Sequence, residues 1–158
     1  MSPTIDPQAK LSIRSLETPR LVVTAMYNPA ELRIDHSVPW QPNPTSRGDQ
    51  PSLQFSAAIA RVMTFELLFD TYEAGTNVHD GFLADLFKLA LVRDANGAEE
   101  TRRPPRVAVK WGVDKLPDFE GVIESLSTRY VMFMPNGTPV KATCHVMVRE
   151  CNQASVKK

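Results

Sequence analysis

Between positions 61 and 70 the side chains alternate without a break. Met63, Phe65, Leu67 and Phe69 share one face, and Val62, Thr64, Glu66, Leu68 and Asp70 share the other. A period of two held this long fits a pleated strand and no helix. The rule returns over 139–149, where Val140, Ala142, Cys144, Val146 and Val148 oppose Lys141, Thr143, His145, Met147 and Arg149. Shorter runs over 10–16, 20–26, 107–111, 119–126 and 130–134 are also strand-like, rich in β-branched and aromatic residues. Over 31–38 the spacing predicts a half-buried strand with Leu32, Ile34, His36 and Val38 inward. Pro135-Asn136-Gly137 between the last two runs predicts a hairpin closed by a left-handed glycine.

The period changes once. Over 78–92, Phe82, Leu83, Leu86, Phe87, Leu89 and Ala90 recur at helical spacing. Asn77 stands where a cap is needed, and Asp80 complements the macrodipole in the first turn. The chain of 158 residues suits one domain, 1–158, with a structured core over 10–150 and a frayed tail over 152–158. About eight strands and one helix predict a mainly β (α+β) fold. Its expected form is an antiparallel β-barrel with the helix packed on it.

Thirteen prolines cut the chain into short elements. Four of them, Pro39, Pro42, Pro44 and Pro51, fall with Gly48 in the stretch 39–52, which has neither period and is expected to be a long loop. Trp40 is large and apolar in that polar surrounding, so it is expected to anchor a subunit contact. The competing expectation is that Trp40 folds back onto its own barrel.

The 18 basic residues balance the 18 acidic ones. That argues against nucleic-acid partners and membrane surfaces, both of which call for excess positive charge. The N-terminus lacks the apolar stretch of a secretory signal, and no run approaches a membrane span. Cytoplasmic synthesis without a signal peptide is the expectation. Cys144 and Cys151 lie an odd number of residues apart, on opposite strand faces, so they are expected to be free thiols. His36, His79 and His145 show no metal-ligand spacing, and neither GxGxxG nor GxxxxGK[ST] occurs. Glu66 and Asp70, like Glu120 and Glu124, are four residues apart on a strand, about 13 Å, too far for a paired acid and base. No cofactor, metal or catalytic constellation emerges; His36 and His145 are the pair most able to meet across strands.

Several segments, read in order, resemble a known family. They are Tyr27-Asn28-Pro29-Ala30-Glu31, the Trp40 loop, Leu53-Gln54-Phe55, the run from Thr64 to Glu73, and Val78-His79-Asp80. They continue with Pro105-Arg106-Val107, Lys110-Trp111-Gly112, the run from Phe119 to Leu126, and the run from Phe133 to Ala142. The series is similar to the tube-type proteins of contractile injection systems, the phage-tail-like particles of bacteria. Within them it resembles the baseplate tube initiator, a member often carrying a peptidoglycan-binding LysM module. No LysM stretch is present in this sequence, so direct wall contact is not expected.

The resemblance implies a tube-type β-barrel assembled as a hexameric ring around a channel. Its partners would be copies of itself and the neighbouring tube, baseplate and spike proteins. The chain would end in a phage-tail-like particle, cytoplasmic or released. Candidate subunit-interface residues are Trp40, Tyr27, Asn28, Pro29, Tyr72 and Glu73. The alternatives are a repeating inner-tube subunit or, in another class, a small β-barrel ligand-binding module.

Overall fold

The computed structural model describes residues 9–45, 47–49, 52–113 and 115–151. Seven strands form one antiparallel sheet in the order β2-β1-β7-β8-β9-β6-β3. These are β1 (Leu11–Ser15), β2 (Val22–Thr24), β3 (Leu32–Asp35), β6 (Val62–Asp70), β7 (Val107–Trp111), β8 (Phe119–Phe133) and β9 (Pro139–Glu150). Two more, β4 (Trp40–Pro42) and β5 (Leu53–Phe55), pair only with each other.

The long alternating runs form the spine. β6 and β9 stay in register from Val62 opposite Arg149 to Asp70 opposite Lys141. Met63, Phe65, Leu67 and Phe69 are buried on one face, facing the same core as Ala142, Cys144, Val146 and Val148. The runs over 119–126 and 130–134 join into the single strand β8, which bends through bulges between Ile123 and Ser125 and around Met132. Gly121 is buried where β8 lies between β7 and β9, and a Cβ there would collide with the backbone carbonyl of Arg149. At the hairpin, Gly137 takes φ 88° and donates its N–H to the Met134 carbonyl at 2.8 Å.

The mainly β, antiparallel class holds; closure of the barrel does not. Among the described residues the edge strands β2 and β3 do not pair, so the sheet is open. The reason lies in both edges. β2 pairs only with β1 and sits beside the helix, while β3 leaves the ladder after four residues. The burial expected along 31–38 fails with it. Leu32 packs against the core, but Ile34 is 42% exposed and His36 and Val38 lie beyond the ladder in solvent.

The helix supplies the missing cover. A π-helical turn (His79–Leu83) runs into α1 (Ala84–Ala90), and Leu83, Leu86 and Leu89 are fully buried against the sheet. Asn77 caps the start, its Oδ1 accepting the His79 N–H at 2.9 Å. Phe82, half-buried, stacks on Phe69 at 5.4 Å.

An ionic cluster ties the connector after α1 to the β1–β2 turn. Glu17 accepts two bonds of 2.9 Å from the Arg103 guanidinium and one of 3.1 Å from the Arg106 backbone N–H. Arg93 and Arg106 also face the carboxylate, at 3.4 Å each. Hydrogen bonding from Arg103 holds the Glu17 carboxyl down to about 2 against an opposing desolvation, helped by the Arg106 N–H and by the Arg103 and Arg93 charges.

Helix and cluster are each expected to contribute to stability. Leu86→Ala removes a fully buried side chain and is expected to cost about 2–5 kcal/mol in denaturant unfolding. A loss under about 0.5 kcal/mol, the range of surface changes, would place that face outside the core. For Glu17 the folded-state pKa lies below the ordinary 4.5, so its contribution is complete above that value. It is lost as the pH falls from 4.5 toward 2. Glu17→Gln should therefore lower the unfolding midpoint at pH 7 and leave the two proteins closest at the acid end of that window. Parallel acid titrations would contradict the assignment.

Candidate functional site

The stretch 39–52, expected to be an aperiodic loop, instead begins as a strand and belongs to a two-stranded ribbon. Trp40 pairs with Phe55, Gln41 with Gln54 and Pro42 with Leu53. Trp40 and Phe55 meet edge to face at 5.7 Å, the cross-strand aromatic contact that favours pairing. The ladder extends at both ends, from Ser56 N–H to the Pro39 carbonyl at 3.2 Å and from Asn43 N–H to the Ser52 carbonyl at 2.8 Å. Asn43 Oδ1 then accepts from the backbone N–H of Thr45 at 3.0 Å and its hydroxyl at 2.7 Å, starting the turn. The mirrored triplets Trp-Gln-Pro and Leu-Gln-Phe, either side of a Pro- and Gly-containing stretch, were the signal that could have revealed this pairing.

The ribbon does not fold back onto the sheet. Trp40 is 56% exposed, Leu53 60% and Phe55 49%, with Val38 and Ile59 exposed on the two legs. A lone two-stranded ribbon is marginally stable in water. Exposed apolar patches of this kind are uncommon on isolated protomers.

The other five candidate residues gather at the far end of β6. Their roles differ. Asn28 spends its amide inside the protomer, accepting the Leu11 N–H at 2.9 Å and donating to the Ala9 carbonyl at 3.0 Å. Pro29 beside it is buried. Asn28 thus pins the start of β1, and both residues line a second open groove with Glu31, Thr64 and His145. Tyr27, Tyr72 and Glu73 are exposed.

Tyr27, Tyr72 and Glu73 border an open groove of about 510 Å³, with Asp70 and Phe82 among its walls. Its rim is rigid. Thr71 donates its N–H to the Val140 carbonyl at 2.7 Å and its hydroxyl to the Thr76 carbonyl at 2.6 Å. Tyr72 N–H bonds Asp70 Oδ1 at 3.0 Å, and Gly75 turns the chain at φ 66°. The ribbon leaves the sheet beside Val62 and the groove opens beside Asp70, so β6 separates the patches by about 26 Å.

The polar residues with catalytic potential remain apart. Asp35 pairs with Val62, and Val62 with Arg149, four positions from His145. His36 lies past that end, in a groove with Arg61, Asp118 and Glu150, so the two histidines do not meet. His145 stands opposite Glu66 on one side and Ser127 on the other, on the exposed face, yet no hydrogen bond links them. His79 Nδ1 shares a 2.8 Å hydrogen bond with the Tyr130 hydroxyl and lies against Phe87, tying the helix to β8. Both cysteines are free; burial pushes their thiols up, disfavouring the thiolate. Among the described residues no group of three or more His, Cys, Asp or Glu could hold a metal ion, and no helix is long and apolar enough to cross a membrane.

No curated protein matches the chain. The family model for the contractile injection system tube protein matches residues 8–158. That span takes in every strand, the helix, the ribbon and the groove, and the chain therefore belongs to the contractile injection system tube protein family.

Proposed function

We propose that the chain is a ring subunit at the baseplate end of the inner tube, joining the spike or hub to the tube. The ring is proposed to be a hexamer of copies of this chain, stacked between tube and baseplate proteins in a phage-tail-like particle. The observation that carries the reading is the exposed apolar ribbon of Trp40, Leu53 and Phe55, which no other strand or helix covers among the described residues. Ring subunits contact each other through unlike patches, and this protomer presents two. The initiator position rests on the segments that resemble that family member; a repeating inner-tube subunit is the alternative. Electron microscopy of the purified protein separates them, with isolated rings expected for an initiator and long tubes for a repeating subunit.

The function proposed is structural and needs no titrating group. Trp40→Ala is expected to weaken assembly, read by light scattering or sedimentation, while the protomer's thermal midpoint stays nearly unchanged. A collapse of protomer stability would mean that the indole serves its own fold. His36→Gln and His145→Gln are expected to leave particle assembly and injection intact apart from small stability losses. Loss of injection in fully assembled, stable particles of either variant would sink the structural reading.

A further inference from the structure

The ribbon needs a receiving surface, and the protomer carries one with matching chemistry. We propose that the Tyr27–Tyr72–Glu73 groove receives the ribbon of a second copy of this chain, with Arg47 of that ribbon seated between the tyrosines and paired with Glu73. The inference rests on the reading of the ribbon as a subunit contact. Three observations support the match.

The first is charge. Arg47, in the segment joining the two ribbon strands, and Glu73 on the groove rim are both exposed, and neither has an ionic or hydrogen-bond partner among the described residues. Asp70 adds a second carboxylate to the groove wall, its charge shared with Lys141 at 3.9 Å. The second is the kind of surface. Tyr27, 48% exposed, and Tyr72, 56% exposed, offer aromatic faces to a guanidinium, which also fits a carboxylate in its own plane. The third is geometry. The ribbon and the groove lie at opposite ends of β6, so a contact between the two joins separate copies. Such a contact is heterologous, and its repeats either close or run on in one direction. The rim bonds of Thr71 and Tyr72 already order the groove's edge within the protomer, which would limit the ordering that docking requires.

The test uses the full chain, as purified rings or as particles from a host carrying it. With Cys151→Ser as background, Arg47→Cys and Glu73→Cys are made separately, mixed, assembled and oxidised. A disulfide-linked dimer is expected from the mixture and not from either variant alone. In parallel, Glu73→Arg is expected to raise the concentration needed for assembly about tenfold or more, and adding Arg47→Glu to the same chain to restore it. Normal assembly with no mixed disulfide would overturn the proposal. So would a Glu73→Arg protein that assembles like the parent. If those negative results accompany a Trp40→Ala protein that fails to assemble, the ribbon docks elsewhere and only the groove assignment falls. If Trp40→Ala also assembles normally, the ribbon reading itself falls.

Discussion

The rest of the structure depends on the β6–β9 ladder. Nine consecutive pairs, Val62–Arg149 through Asp70–Lys141, hold without a bulge. This places every second side chain of both strands in one apolar layer, and a slip of one residue would turn that layer outward. β9 also pairs along nearly the whole of β8, whose register shifts by bulges, while its pairing with β6 carries none. The helix then needs to cover only one face, and Leu83, Leu86 and Leu89 fill it.

The edges are handled by chemistry of other kinds. At the β2 side, Glu17 gathers Arg93, Arg103 and Arg106, so the connector between α1 and β7 is fastened to the β1–β2 turn by charge-assisted bonds. These side chains are largely shielded from solvent, where such bonds are stronger than on an open surface. Just before β6, Arg61 grips Glu150 at the end of β9 with its guanidinium and its backbone N–H, and lies over the Phe119 ring of β8 at 5.5 Å. That contact fixes the point at which the ribbon leaves the sheet. The ribbon itself is exposed and apolar, a combination from which a protomer in isolation gains nothing. Family membership supplies the context in which such a surface is of use, because a tube is built from copies of its subunit.

Much of this was legible in the sequence. The strand over 61–70, the hairpin at Pro135-Asn136-Gly137 and the helix beginning after Asn77 each arise from local chemistry: an unbroken period, a turn triplet, a change of period beside a cap. Two free thiols were implied by an odd spacing. The candidate residues were a mixed group, because a resemblance marks positions without saying which way they face. Asn28 spends its amide on the start of β1 and Pro29 is buried, whereas Tyr27, Tyr72, Glu73 and Trp40 stand in solvent.

The sequence by itself determined the class of the fold, since side-chain period is a property of neighbours along the chain and each strand carries its own. It also determined the absence of metal-ligand spacing and of phosphate-cradling motifs. Only the tertiary structure decided whether the sheet closes, because closure depends on two edge strands separated by the whole sheet and on a helix placed beside one of them. It alone decided that Ile34 is exposed, since an apolar face is buried only where a second layer reaches it. It also decided that Trp40 pairs with Phe55 across fifteen positions and that Tyr27 and Tyr72 flank one groove. Those contacts join residues far apart in the chain, and periodicity along a segment carries no information about which distant segment lies against it.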